Sequence, residues 1–170
     1  FNSNNEYLTI INTARVKRVD LLEYYDSRQN ILDVERNILF LLDQELKKFK
    51  KEKGLKDFTD LLEDYIIKKD KPKFEVLFID EAQDLSLIQW DMVRSLWVNA
   101  KKTYIAGDDD QAIFKWAGAD VDHFIALKEE VDGVEVLDQS YRIPGGPIHE
   151  LSQNIIAKVQ NRFDKDYKPR

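Results

Sequence analysis

A short apolar run that ends on two acids constrains the fold of this chain more than any other feature. Residues 76–79, Val-Leu-Phe-Ile, are followed at once by Asp80 and Glu81. A short continuous apolar run is typical of a strand buried in a parallel sheet. Two further runs, residues 103–106 and 134–137, alternate with segments of helical pattern. This order predicts an α/β fold, with a parallel sheet and flanking helices.

The rest of the pattern is helical. Apolar residues recur at intervals of three and four, and Asp57 is a candidate N-cap. The spacing predicts helices over residues 31–53, 58–69, 88–99, 121–131 and 147–163. Residues 7–11 fit either a short strand or a helix turn. The first 70 residues are therefore expected to form a mainly helical segment ahead of the sheet.

Composition excludes several classes of protein. The chain has no cysteine, which rules out disulfides, thiolate metal sites and cysteine nucleophiles, and makes the reducing cytoplasm the expected compartment. No apolar run approaches the roughly 18 residues of a membrane span. The net charge of −6 is unlike that of most nucleic-acid-binding domains, which are basic. The lysine-rich residues 47–53 are expected to form a solvated helix end, with contact to DNA phosphates as the alternative.

Asp80 and Glu81 are candidates for metal and water chemistry. Ligands of open α/β sheets bind at the carboxyl ends of the strands. There the first acid of a Walker B arrangement holds Mg²⁺ and the second polarises an attacking water. The alternative is an acid at a strand end that caps the next helix. The longer run of residues 80–84, Asp-Glu-Ala-Gln-Asp, is more specific than the acidic pair alone.

Two more polar clusters follow predicted strands. Residues 107–119 carry three adjacent acids, then Gln111, and then Phe114 and Trp116. If that stretch is extended, the two aromatic side chains point the same way and can stack on single-stranded nucleic acid; the alternative is that both are core residues. Arg142 follows the third predicted strand and can reach a terminal phosphate, with a surface salt bridge as the alternative.

These clusters resemble motifs of a known family. Residues 80–84, 107–119 and 139–144 resemble motifs II, III and IV of UvrD/Rep/PcrA-type superfamily 1 DNA helicases, in the same order. Residues 57–62, Asp-Phe-Thr-Asp-Leu-Leu, resemble a short segment that precedes motif II in that family. The resemblance extends over roughly residues 55–160 and is most specific at residues 107–119.

The resemblance implies a role for each matching residue. Asp80 would bind Mg²⁺, and Glu81 would orient or deprotonate the hydrolytic water. Gln111 would sense the γ-phosphate of ATP, Tyr141 would stack on the adenine, and Arg142 would contact the γ-phosphate. Phe114 and Trp116 would stack on DNA bases. The chain departs from the family at Phe114, where tyrosine is usual, and at Ala117, where arginine is frequent.

The resemblance also implies an architecture. It suggests a partial RecA-like (P-loop NTPase) sheet in residues 71–133, the start of a second such domain in residues 134–170, and the end of a helical insert in residues 1–70. None of the six glycines is followed by the Lys-Ser or Lys-Thr of a phosphate-binding loop. The segment alone is therefore expected not to hydrolyse ATP.

The activity that the family implies is ATP-driven translocation along DNA, 3′ to 5′, with separation of the strands. ATP, Mg²⁺, single-stranded DNA and duplex DNA are the expected ligands, and no membrane is expected. Two alternatives stay open. One is a helicase–nuclease subunit, and the other is a catalytically inactive nucleic-acid or protein-interaction module.

Overall fold

Four helices precede a two-stranded parallel sheet in the computed structural model, which describes residues 5–30 and 32–170. The helices are α1 (Glu6–Val16), α2 (Leu21–Asp26), α3 (Arg36–Lys53) and α4 (Phe58–Ile67). The sheet consists of β1 (Phe74–Ile79) and β2 (Ala100–Ile105), joined by α5 (Leu87–Trp97). Helices α6 (Val121–Ala126) and α7 (Pro147–Ile156) follow. The α/β class, the parallel sheet and the helical start are confirmed, and residues 7–11 are helical.

Local signals define the junction between α3 and α4. Helix α3 ends at Gly54, whose φ of 62° is left-handed, as C-terminal glycines commonly are. Asp57 caps α4: its side chain accepts from the Asp60 N–H, and the Asp60 side chain accepts from the Asp57 N–H, each at 2.8 Å. This reciprocal pair is a capping box, and it satisfies two amides that the first turn leaves without partners. The predicted N-cap is confirmed.

The end of α3 is not fully solvated, contrary to expectation. Lys50 is only 14% exposed, and its ammonium lies 3.0 Å from Asp57 and 2.6 Å from Asp60. Arg15 of α1 contacts the same two carboxylates at 2.8 and 2.5 Å. Burial alone would raise the pKa of Asp57, but its hydrogen bonds with the Asp60 amide and Lys50 and the charge of Arg15 outweigh burial and lower the pKa to about 2. This cluster ties α1 and α3 to the start of α4.

Helix α3 begins at Arg36 rather than at the predicted Ile31, which lies outside the described residues. The backbone just ahead of the helix forms tertiary hydrogen bonds instead. The Val34 carbonyl accepts from the Tyr25 hydroxyl at 2.8 Å, and the Glu35 N–H donates to the Tyr7 hydroxyl at 3.1 Å. A helical core beneath this segment consists of Ile10, Ile11, Val34 and Leu39.

The two strands pair in register from Phe74 opposite Ala100 to Ile79 opposite Ile105. One face of the sheet packs on α5, in a core that contains Ala82, Trp90, Val93 and Leu127, with Ile79, Ile105 and Phe124 beside them. The other face is open. Phe78 and Tyr104 lie exposed on it, with ring centroids 5.1 Å apart. The expectation that the first strand is buried on both sides is therefore wrong within the described residues.

The predicted third strand at residues 134–137 does not form. Val134, Val136 and Leu137 are exposed, and the next regular pairing is an isolated parallel bridge between Gln139 and Lys168. An apolar run becomes a strand only where a neighbouring strand completes its hydrogen bonds. The β1–β2 sheet does not supply that neighbour to residues 134–137.

The last two predicted helices are shorter than expected. Helix α6 gives way after Ala126 to a 3₁₀ turn, Leu127–Glu129. Helix α7 ends at Ile156 instead of residue 163, because residues 162–165 return to contact the loop after β2. Among the described residues, none of the helices has the length and apolar character that a membrane crossing requires.

Candidate functional site

The carboxyl ends of β1 and β2 bring two of the predicted polar clusters together. The strand hydrogen bonds continue past the sheet, with the Ala106 N–H donating to Ile79 at 2.8 Å and the Ala82 N–H donating to Ala106 at 3.0 Å. Asp80 and Glu81 therefore lie beside the segment that starts at Gly107. Asp80 is exposed, and its side chain accepts from the Glu81 N–H at 2.9 Å. Glu81 has a left-handed backbone, with φ 51° and ψ 40°.

A buried glutamine connects the two strand ends. Gln83 is 1% exposed. Its Nε2 donates to the Glu81 carboxylate at 2.7 Å, and its Oε1 accepts from the Asp108 N–H at 2.9 Å. Gln83 had no role in the sequence analysis, although a glutamine inside an acidic run that leads into a helix was a visible feature.

Gly107 is required by this contact. A Cβ atom at position 107 would lie 2.7 Å from Oε1 of Gln83 and 2.8 Å from Cζ of Phe124. Both distances are far shorter than ordinary van der Waals contacts. Gly107 therefore allows the loop after β2 to pack directly against the buried amide of Gln83.

Gln111 joins the same hydrogen-bonded set. Asp109–Gln111 is a short 3₁₀ turn capped by Asp108. Nε2 of Gln111 donates to the Asp108 carboxylate at 2.6 Å. A continuous series of contacts therefore runs from Glu81 through Gln83 and Asp108 to Gln111.

The three adjacent acids pair with two cations of the C-terminal segment. The Lys165 ammonium lies 2.6 Å from Asp108, 2.5 Å from Asp109 and 3.1 Å from Asp110, and the lysine side chain is only 12% exposed. Arg162 makes a two-pronged contact with Asp110, at 2.8 and 2.6 Å. The pairing of Lys165 and Arg162 with these acids was not predicted, since both cations follow the acids by more than 50 residues in the sequence.

Charge pairing shifts the ionisation of this cluster. Burial alone would raise the pKa of Asp108, but hydrogen bonds from Lys165 and Gln111 outweigh burial and hold the pKa below its ordinary value. Burial alone would lower the pKa of Lys165, but its bonds to the three carboxylates raise it. Asp108 and Lys165 are therefore both charged near neutral pH.

Phe114 and Trp116 are arranged differently from the prediction. The segment is not extended, because Lys115–Ala117 forms a 3₁₀ turn. The ring centroids nevertheless lie 6.3 Å apart, with an angle of 52° between their planes. Phe114 is 41% and Trp116 77% exposed, so the alternative that both are core residues is wrong.

The loop that carries these aromatics is fixed at its far end. Ala119 forms an antiparallel bridge with Ser86, and the Asp120 N–H donates to Leu85 at 2.9 Å. Gly118 has a φ of 104°, and a Cβ there would lie 2.5 Å from Val16 of α1. The aromatic pair is thus attached both to the segment after β1 and to the first helix.

The structure does not bring the last two predicted site residues to this cluster. Ser140 is buried, and its hydroxyl accepts from the backbone N–H groups of Arg142 and Ile143 at 3.3 and 3.0 Å. Tyr141 and Arg142 are exposed. Over residues 5–30 and 32–170, neither side chain makes a hydrogen bond or ion pair with Asp80, Glu81 or Gln111.

The exposed carboxylate of Asp80 suits Mg²⁺. No group of three or more His, Cys, Asp or Glu side chains in the described part of the chain could hold a metal ion. Mg²⁺ is usually held by one or two carboxylates together with waters and substrate phosphates, rather than by a protein cage. An exposed carboxylate at a strand end, such as Asp80, fits that mode of binding.

Comparison with known proteins identifies the family. Residues 2–132 match the family model described as UvrD/REP helicase N-terminal domain. The ATP-dependent DNA helicase srs2 of Schizosaccharomyces pombe is 33% identical over 122 residues, which cover 68% of this chain and 14% of that protein.

Two Escherichia coli proteins are similarly related. DNA helicase II is 34% identical over 100 residues, or 52% of this chain and 14% of the relative. The ATP-dependent DNA helicase Rep is 29% identical over 120 residues, or 64% of this chain and 18% of the relative. The chain thus spans less than a fifth of the length of these relatives. With the family model matching most of its residues, the chain belongs to the UvrD/REP helicase N-terminal domain family.

Proposed function

We propose that this chain is the part of an ATP-dependent DNA helicase that holds the hydrolytic carboxylates and a pair of base-stacking aromatics. The observation that carries the proposal is the hydrogen-bonded set at the carboxyl ends of β1 and β2. It connects Glu81 to Gln111 through Gln83 and Asp108, with Asp80 next to Glu81. Asp80, Glu81 and Gln111 lie in the segments that resemble the family's motifs II and III. The names of the relatives, which are ATP-dependent DNA helicases, support the same activity.

The proposed architecture is a partial RecA-like sheet of the P-loop NTPase class. Residues 71–133 would form the second half of a first such domain, and residues 134–170 would begin a second. Residues 1–70 would be the end of a helical insert and the return to the first domain. The phosphate-binding loop would lie elsewhere in the complete protein, and the segment alone would not hydrolyse ATP.

The proposed roles at the strand ends follow from chemistry. Asp80 would hold Mg²⁺, which neutralises phosphate charge when bound. Glu81 would orient and polarise the attacking water, because a carboxylate next to the residue that would hold the metal can accept a proton from that water. Gln111 would sense the γ-phosphate, and its hydrogen bond to Asp108 would connect it to the rest of the cluster. Tyr141 would stack on adenine, and Arg142 would contact the γ-phosphate.

Phe114 and Trp116 are the proposed contact with single-stranded DNA. Exposed aromatic rings on a fixed loop allow bases to stack without sequence preference. The loop is anchored at Ala119, so movement of the strand-end cluster can be passed to the bound bases. We propose 3′ to 5′ movement on single-stranded DNA with separation of duplex DNA, as the family resemblance implies.

The test is DNA-stimulated ATP hydrolysis by the complete protein that contains this chain. Glu81→Gln should lower kcat by about a hundredfold or more, since it removes the group that polarises water. Glu75→Gln is a matched control, because Glu75 is an exposed β1 residue that pairs with the exposed Lys101, away from the strand ends. Equal rates for Glu81→Gln and the wild type would refute the proposal. Binding of DNA without any hydrolysis by the wild type would favour an inactive binding module instead.

A further inference from the structure

We propose that Gln83 is a positioning residue that aims the Glu81 carboxylate and links it to the loop carrying Gln111. The inference rests on the proposed function. It assigns a role to a side chain that neither holds the metal nor contacts the nucleotide in that proposal. Its two contacts, to Glu81 and to the Asp108 backbone, connect the two strand ends through one side chain, beside the backbone hydrogen bonds between them.

Burial makes the amide orientation specific. Gln83 is 1% exposed, so water cannot replace either of its hydrogen bonds at low cost. Its oxygen is committed to the Asp108 N–H, since only an acceptor can satisfy that group. The NH₂ group must then face Glu81, where it donates at 2.7 Å.

Glu81 needs such a partner because the rest of its side chain is unrestrained. The residue is exposed, and apart from the bond to Gln83 no other side-chain hydrogen bond of Glu81 occurs within residues 5–30 and 32–170. A free glutamate samples several rotamers, and only some of them would point a carboxylate oxygen at an attacking water. A single donor fixed in the protein interior selects among those rotamers before substrate arrives.

The amide oxygen of Gln83 determines which loop the Glu81 carboxylate is aligned with. Oε1 holds the Asp108 N–H, and the Asp108 carboxylate accepts from Gln111. Gly107 lacks a side chain at the place where Oε1 and the Phe124 ring come closest. A displacement of the loop after β2 would therefore move the Gln83 amide, and with it the Glu81 carboxylate.

The test is a double-mutant cycle in the complete protein, measured as steady-state ATP hydrolysis with saturating single-stranded DNA. Gln83→Met keeps the size of the side chain and removes both hydrogen bonds. We expect kcat to fall about ten- to a hundredfold, with KM for ATP and affinity for DNA unchanged within about twofold. In a Glu81→Gln background, Gln83→Met should change the rate by less than about twofold, because its target is already disabled.

Gln89→Met is the matched control. Gln89 is half-buried, and its side chain accepts hydrogen bonds from Ser86 at the start of α5 rather than contacting a strand end. The control should lower thermal stability while leaving kcat near that of the wild type. A general loss of packing would instead lower kcat in both glutamine variants.

Several results would overturn the inference. These are a wild-type kcat for Gln83→Met, a change confined to KM, or losses that multiply in the double variant. If Gln83→Met does not fold, Gln83→Asn decides, since it keeps the amide but is one methylene too short to contact Glu81 and the Asp108 N–H together. Wild-type kcat in Gln83→Asn would refute the proposal. Absence of hydrolysis in the wild type would refute the proposed function itself.

Discussion

Replacing Lys165 by methionine should destabilise the chain more than replacing any exposed lysine. The ammonium of Lys165 contacts all three carboxylates of residues 108–110 and is largely shielded from water. Methionine fills a similar volume but leaves three neighbouring anions with Arg162 as the remaining cation of the cluster. The variant therefore tests whether the C-terminal segment holds the loop after β2 by charge.

The magnitude follows from burial. Breaking a buried ion pair costs about 3–5 kcal/mol, because it leaves an uncompensated buried charge. The Asp109 side chain is buried, whereas those of Asp108 and Asp110 are partly exposed, so we expect a cost somewhat below that range, about 2–3 kcal/mol. For a chain of this length that corresponds to a fall in Tm of about 4–12 °C.

The assay is urea and thermal unfolding at pH 7, followed by circular dichroism. Lys168→Met is the control, because Lys168 is 54% exposed and pairs with the accessible Asp138. Exposed pairs contribute about 0–1 kcal/mol. Equal stability of the two variants would show that the Lys165 cluster is solvated and would refute the reasoning.

The dependence on pH gives a second check. Asp108 has a lowered pKa when folded, so its contribution is present above the ordinary value of 3.8 and is lost as the pH falls through the folded value. Lys165 has a raised pKa, so its contribution is complete below 10.5 and is lost as the pH rises through the folded value. The difference between wild type and Lys165→Met should therefore be constant from about pH 5 to pH 9 and shrink in acid.

Three further predictions concern single positions. Gly107→Ala should cost about 1–3 kcal/mol in thermal unfolding, since its Cβ has no room, whereas Gly133→Ala, with open space around it, should change stability little. Asp57→Asn keeps a good N-cap but removes the charge; it should lose about 1 kcal/mol at pH 7, a difference that disappears as the pH falls from about 4 through the Asp57 pKa of about 2. Trp116→Ala should weaken binding of the complete protein to single-stranded DNA about 5- to 100-fold in fluorescence anisotropy at fixed salt, and Phe58→Ala, which removes an exposed aromatic of α4, should not.

Features encoded locally were predictable from sequence. The Asp57 cap was predicted from its position ahead of a helical pattern and is confirmed, although the reciprocal bond from Asp60 that makes it a capping box was not predicted. The first strand was visible because its apolar run is followed abruptly by Asp80. Its pairing with β2 followed from the order of elements, since a helix between two apolar runs favours a parallel crossover.

Features that depend on distant partners were not predictable. Lys165 and Arg162 contact acids more than 50 residues away, and no local pattern marks such pairs. The same holds for Lys50, whose position in a lysine-rich run suggested solvent exposure. Residues 134–137 have strand composition but lack a paired neighbour, so composition alone gave the wrong element.

The aromatic pair lies between these two cases. The exposure of Phe114 and Trp116 agrees with the predicted stacking role and excludes the alternative that both are core residues. Their backbone conformation was not predicted, since the stretch is a 3₁₀ turn, Lys115–Ala117, rather than extended. The roles assigned to Asp80, Glu81, Gln111, Tyr141 and Arg142 remain predictions.

At position 81, the left-handed backbone favours glycine for folding, whereas the proposed hydrolytic role requires the glutamate carboxylate. A residue with a Cβ pays about 1–2 kcal/mol for that conformation, whereas glycine adopts it freely. In a library of all substitutions at position 81, selection for folded protein should enrich Glu81→Gly, and selection for ATP hydrolysis should eliminate it. The opposite rankings would separate a residue kept for its carboxylate from one kept for its fit to the fold.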